Sequence, residues 1–368
     1  MKRPVWIALI LGAMMLLVVS CDREVTGDVR LADNSSQDCL QCHSGYLDQA
    51  QGEWANSIHA SGNNIDYTNR GGSDCTRCHD QQGFIAFLAT GQLPDEALST
   101  VSAIGCFTCH DPHENGDMRL RTNSAFTLLN GNVFDHGEGN LCANCHHSRT
   151  DVRTLAAGTA VSPYWGPHHG PQGEFINGTG AYYLFPGRTT DFASSPHASV
   201  VRDACVGCHM GNVQQHDGYD IGGHSWNMVA PEDPTVTLAK ICADPSCHPT
   251  ATSFDFRTPG DVQDYDGDAN ITEGYQSETE GLMEELHDLL VAQGVLNAGT
   301  GRPNSVTITD VHLLGALYNY VMVEEDRSEG VHNFVYISSA LQASIDYVEG
   351  LPLPTAPSTN VAVVQASH

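Results

Sequence analysis

Twelve of the thirteen cysteines in this 368-residue chain fall into six close pairs, each followed at once by a histidine. Five of these motifs read CxxCH: Cys39-Cys42-His43, Cys75-Cys78-His79, Cys106-Cys109-His110, Cys142-Cys145-His146 and Cys205-Cys208-His209. The sixth, Cys242-Cys247-His248, is expanded to CxxxxCH. The six motifs lie within 39–248, so this region is pinned at six places to whatever the pairs hold.

Disulfides do not require a histidine after every second cysteine, and neither do zinc ribbons. A thioredoxin-like CxxC needs a βαβ context that the sequence lacks. Covalent haem attachment does require the full pattern. Two thiols add to the two vinyl groups along one haem edge, and the adjacent histidine reaches the iron from the same face. The reading is six covalently bound haem c groups on Cys39, Cys42, Cys75, Cys78, Cys106, Cys109, Cys142, Cys145, Cys205, Cys208, Cys242 and Cys247. Their proximal ligands are His43, His79, His110, His146, His209 and His248.

A low-spin electron-transfer haem takes a second axial ligand, histidine or methionine, on its far face. Of 19 histidines, thirteen are not proximal. Eight are distal candidates for six places: His59, His113, His147, His168, His169, His197, His224 and His332. His113 lies three residues past His110, and His147 directly follows His146, so each suits a neighbouring haem better than its own. His136 is ambiguous. His216 and His368 read as solvated loop residues, and His287 and His312 as surface or packed positions on helices. Methionine is a weaker rival, with Met210 too close to His209 to serve the same iron.

Aromatic residues are only 7% of the chain and charged residues 16%, whereas glycine numbers 36. Apolar runs outside the first twenty residues are short, so the porphyrins are expected to supply part of the interior. The fold class that follows is mainly α with extensive irregular loops around a haem stack and a helical C-terminal segment. Residues 1–20 form the leader, 21–38 a tether, 39–248 the haem-binding region, and 249–368 a helical region without attachment motifs. In that last region Leu282, Leu286, Leu289 and Leu290 recur at helical spacing. Thr309-Asp310 starts a second helix, and Ser338 to Val348 forms a third. The aromatic stretch Tyr182-Tyr183-Leu184-Phe185 is a candidate cover for haem edges.

Lys2 and Arg3 precede an apolar run from Val5 to Val19, short for a membrane span and suited to an export signal. The stretch Val18-Val19-Ser20-Cys21 resembles a bacterial lipobox, which implies a diacylglycerol on Cys21 and accounts for the thirteenth cysteine. An ordinary cleavable signal is the alternative. Both place the chain outside the cytoplasm, in the periplasm, at the outer membrane or beyond the cell. With the leader removed, 14 basic residues face 44 acidic ones. Such a surface repels nucleic acid and anionic lipid heads. Asp264, Asp266, Asp268 and Asn270 alternate as in the opening of a calcium loop, although Ala269 and Tyr275 stand where such a loop needs glycine and glutamate. A Ca²⁺ site and a solvated acidic turn are equal readings.

On its six motifs the chain resembles the multihaem cytochrome c superfamily that includes the pentahaem nitrite reductases and related haem-rich electron carriers. The run from Trp54 through Ser57 to His59 is similar to a Trp-x-x-Ser-x-His segment of many multihaem cytochromes. Leu317-Tyr318-Asn319-Tyr320 through Gly330-Val331-His332-Asn333 is similar to that superfamily's C-terminal helix pair, which implies that His332 is a distal ligand. The reductases carry a CxxCK motif whose lysine leaves the catalytic iron open. None occurs here, which counts against nitrite reduction. The resemblance implies an electron carrier acting with other redox proteins or an extracellular acceptor. A reductase with one open haem, built near His168, Tyr164 and Arg188, and a polymeric cytochrome filament are the alternatives.

Overall fold

The computed structural model describes residues 45, 47–61, 73–92, 101–111 and 118–353. The first motif (Cys39, Cys42, His43), His113 and Cys21 lie outside the described residues. The N-terminal part is a set of short helices: α1 (Asp48–Ala55), α2 (Ile58–Ser61), α3 (Ser73–His79), α4 (Gln81–Thr90), α5 (Cys106–Cys109), α6 (Gly139–Ala143), α7 (Gln172–Asn177), α8 (His197–Val200) and α9 (Cys205–His209). Three long ones follow: α10 (Tyr275–Ala292), α11 (Val311–Asp326) and α12 (Phe334–Glu349). Among the described residues, strands are limited to four two-stranded antiparallel pairs. The mainly α, loop-rich class expected from composition is the one observed.

Local chemistry explains the short elements. The Asp80 side chain accepts from Gly83 N at 2.7 Å and caps α4, which stops at Gly91 in the left-handed region (φ 70°). A Cβ on Gly83 would stand 2.5 Å from Thr76 Cβ, so only glycine lets α4 pack this closely on the motif helix α3.

In the long helices, Leu282, Leu286 and Leu290 of α10 are buried as their spacing predicts, and Leu289 is partly so. Asp310 caps α11 by accepting from His312 N and Leu313 N. The third helix starts four residues before the sequence reading, because Asn333 caps it through Tyr336 N. These helices form one large apolar cluster with Phe175, Tyr182, Phe185 and Phe192. Tyr182 and Phe185 pack inside this core. The buried Asn319 amide fixes them there, accepting from Tyr182 N at 2.7 Å and donating to Tyr182 O at 2.9 Å. Around the motifs, the second cluster holds only Leu128, Phe134, Ala143 and Ala204. So side chains fill the C-terminal region, while the apolar cluster beside the motifs is smaller.

Candidate functional site

The motif histidines do not stand alone. Five imidazoles from elsewhere in the chain face them: His59 faces His146, His168 faces His79, His224 faces His110, His197 faces His248 and His332 faces His209. The ring centroids are 6.2, 6.2, 6.3, 6.0 and 6.2 Å apart, in that order. A first-row transition ion binds an imidazole nitrogen at about 2 Å, so two rings on opposite sides of one ion have centroids roughly 6.3 Å apart once the ring radii are added. Packed rings elsewhere in the chain stand as close as 4.7 Å, as His168 and His169 do, and as far as 6.3 Å, as Phe175 and Tyr336 do, so what sets these five apart is that each joins a motif histidine to a distant one. The spacing fits a metal-centred group between each pair, and two thiols stand beside each motif histidine to hold that group.

Protonation favours the same use. Burial, followed by the nearby His146 and His209, lowers His59 to about 4. Burial, then His169, lowers His168 to about 4. Burial is also the main cause lowering His79, His110, His146, His197, His209 and His248. These rings are neutral at pH 7, the form that binds metal. His332 is the exception: burial pulls it down, but the Asp326 carboxylate more than offsets this and raises it.

Groups behind the rings fix their orientation. His110 Nδ1 meets Met118 O at 2.7 Å, and His209 Nδ1 meets Trp226 O at 3.0 Å. His146 Nδ1 lies 3.2 Å from Gln172 Oε1. His224 Nδ1 lies 3.3 Å from Glu53 Oε2, and His332 Nδ1 lies 2.7 Å from Asp326 Oδ1. With Nδ1 engaged, Nε2 is the nitrogen left for a metal. Trp226 joins three of the pairs. Its ring meets His59 at 4.7 Å and His224 at 5.8 Å, edge-on, and its carbonyl holds His209. Trp226 adopts φ 54°, strained for an indole-bearing residue and fixed by these contacts. No periodicity or motif marks Glu53, Gln172, Trp226 or Asp326 in the sequence, since their importance arises from contacts up to 171 residues away.

Thiols of different motifs also meet. Cys78 and Cys145 are neighbours, with Cys78 Sγ 4.0 Å from Asn144 O and Cys145 Sγ 3.8 Å from Arg77 O, and Cys142 neighbours Cys205. The second, fourth and fifth motifs therefore share edges. The expanded sixth motif keeps the geometry of the others. His110 N and His146 N bond the carbonyl of their first motif cysteine at 2.9 Å. His248 N does the same to Cys242 O at 3.2 Å, while Asp244 and Ser246 form a side-chain-closed turn that loops out the extra residues.

Two further candidates face no motif histidine among the described residues. His169 Nδ1 pairs with Glu325 Oε2 at 2.6 Å. His147 is buried, with Nδ1 on Ser148 O at 2.8 Å, and burial lowers it to about 4. In the acidic loop, carboxylate oxygens of Asp264, Asp266 and Asp268 lie within 4.8 Å of one another, as do those of Asp266, Glu273 and Glu278. Asn270 Oδ1 instead accepts from the Thr272 hydroxyl at 2.8 Å. Among the described residues, no helix is long and apolar enough to cross a membrane.

No protein-family model matches the chain, and no curated protein does. Among solved structures it is similar to the outer cell wall cytochrome OcwA, at 21% identity and a TM-score of 0.46 over 80% of this chain and 49% of that one. It is also similar to an undecahaem cytochrome from the S-layer of Carboxydothermus ferrireducens, at 17% identity and a TM-score of 0.48 over 87% of this chain and 46% of that one. The chain spans about half the length of each.

Proposed function

We propose that this chain is a multihaem c-type cytochrome that relays electrons outside the cytoplasm through six haems, each held between two histidines. The observation that carries the reading is the set of five facing pairs, each joining one motif histidine to one distant histidine at single-ion spacing. Under this reading His59, His168, His224, His197 and His332 are the distal ligands of five haems. His113, His147 and His169 are the candidates for the sixth haem, and His147 has its ring buried with Nδ1 already engaged.

A bound haem supplies a one-electron Fe(III)/Fe(II) couple. Burial keeps His59, His168, His197 and the described motif imidazoles neutral, acceptors at Nδ1 orient His110, His146, His209, His224 and His332, and the neighbouring Cys78–Cys145 and Cys142–Cys205 bring motifs together. The acidic surface favours the ferric state and hence low potentials. A haem held between two of these histidines would offer no open position for catalysis, which favours a carrier working with other redox proteins or an extracellular acceptor. A lipid on Cys21 would tether the relay to a membrane.

Intact mass and a haemochrome assay of the mature protein are expected to show six haems per chain and a lipidated Cys21, with uniformly low-spin oxidised spectra. A high-spin share of one haem in six would turn the reading toward a reductase, and detergent-independent growth in size toward a filament. Free motif thiols would overturn it.

We also propose that the acidic loop holds Ca²⁺ through Asp264, Asp266, Asp268 and Glu273, whose Oε1 is shielded from solvent without a hydrogen-bond partner. Ca²⁺ at a hundred times its Kd should stabilise the protein by about 2.7 kcal/mol. Differential scanning calorimetry with Ca²⁺ and with EDTA checks this. An unchanged Tm, or an equal rise with Mg²⁺, would identify the loop as a solvated turn.

A further inference from the structure

We propose that Glu53 and Asp326 are positioning residues that place two of the haems, those between His110 and His224 and between His209 and His332, at the low-potential end of the relay; this rests on the haem reading above. The argument begins with the acceptors at Nδ1. Those of His110 and His209 are neutral main-chain carbonyls, and that of His146 is a neutral amide. His59 Nδ1 is buried and has no hydrogen-bond partner among the described residues. His224 and His332 instead each have a carboxylate within hydrogen-bond distance of Nδ1, namely Glu53 and Asp326.

Both carboxylates are deeply buried, at 4% and 3% exposure, where water screens them little. Neither is there by accident of packing. Glu53 Oε2 also accepts from His224 N at 2.9 Å, and Glu53 Oε1 accepts from Gln49 Nε2 at 2.8 Å. Asp326 bonds the Ser328 hydroxyl through Oδ2, leaving Oδ1 to His332. These bonds compensate the desolvation of the carboxylates and aim one oxygen of each at the ring.

A carboxylate accepting the Nδ1 proton makes the imidazole a stronger donor and adds negative charge beside the iron. Both effects stabilise the ferric form more than the ferrous form, so one-electron reduction of those two haems becomes harder. Glu325 is the internal contrast. It lies one residue from Asp326 and also holds a histidine, but His169 faces no motif histidine among the described residues.

The test is a potentiometric titration of the full-length haem-loaded protein, followed by EPR, with Glu53→Gln, Asp326→Asn and Glu325→Gln as the charge control. Each of the first two is expected to raise the midpoint of one low-spin haem, making its reduction about tenfold more favourable, or ~59 mV for a one-electron couple. That haem stays low-spin, and the control moves it much less. Unmoved midpoints, or a shift as large in Glu325→Gln, overturn the proposal. Should the variants not fold, the unaltered oxidised protein decides, because stronger donors narrow the spread of ferric g values. Two haems should show the narrowing, and six alike overturn the proposal. A protein without haem would overturn the proposed function instead, so the two failures are distinguishable.

Discussion

Changing His59 to alanine is expected to move one haem in six from low-spin to high-spin and to open it to exogenous ligands such as cyanide. His59 faces His146 at 6.2 Å, and its other contact is the edge of Trp226, which has no group that can replace a nitrogen donor. The vacated position should therefore stay open or take water. His59→Met should instead keep the iron low-spin and raise its potential, since a thioether is the poorer donor to ferric iron. His136→Ala is the control. That ring bonds Asn177 Oδ1 at 2.9 Å and packs on Phe134, so its loss should leave the haem spectra unchanged. EPR and absorption of the oxidised proteins read all three outcomes, and a fully low-spin His59→Ala would show that His59 is not an axial ligand.

The sequence shows some layers of this arrangement and hides others. The cysteine–histidine motifs are legible because their spacing is fixed, α10 because burying one face of a helix demands a 3.6-residue period, and α11 by the Asp310 cap, although Leu313 through Val323 are then buried on every side. Pairing is not legible, because the fold chooses which histidine faces which. Of His168 and His169, adjacent in the chain, one faces His79 and the other turns to Glu325, a choice set by φ 71° at His168 and by a helix 156 residues away. The burial of Tyr182 is not legible either, because Asn319, 137 residues away, holds its main chain in the helical core. Glu53 and Asp326 carry no signal in the sequence, since acidic residues are common in this chain and only proximity sets these two apart.

Glu278→Ala should be the most damaging change outside the motifs, costing about 3–5 kcal/mol, the range for breaking a buried ion pair. Glu278 is fully buried at the start of α10. Its carboxylate bonds the Arg257 guanidinium and accepts from Tyr265 N at 2.8 Å and Asp266 N at 3.1 Å. Removing it leaves two main-chain donors unmet and leaves the Arg257 guanidinium with Asp261 at 3.8 Å and the Gln263 and Glu273 carbonyls. It would also release the segment that carries the acidic loop. The Tm of the haem-loaded protein should fall by on the order of 10 °C. A loss below 1 kcal/mol, measured by denaturant titration, would show that water replaces the carboxylate.

The facing histidine pairs have one more consequence, for how the chain reaches its native state. Each pair, once bridged, closes a loop in the polypeptide, from residues 197 to 248 in the shortest case and from 209 to 332 in the longest. A staple across loops of that length removes about 4–5 kcal/mol of unfolded-chain entropy in the loop-closure model used for disulfides. Several such loops overlap: 59–146, 79–168 and 110–224 each enclose part of the next. Closing one brings the ends of another together, so the bridges should form cooperatively, and an unbridged chain would lack both its staples and the apolar area that fills its N-terminal half. Maturation and folding would then be a single event for this protein, with the order of attachment along the chain setting the order in which its loops can close.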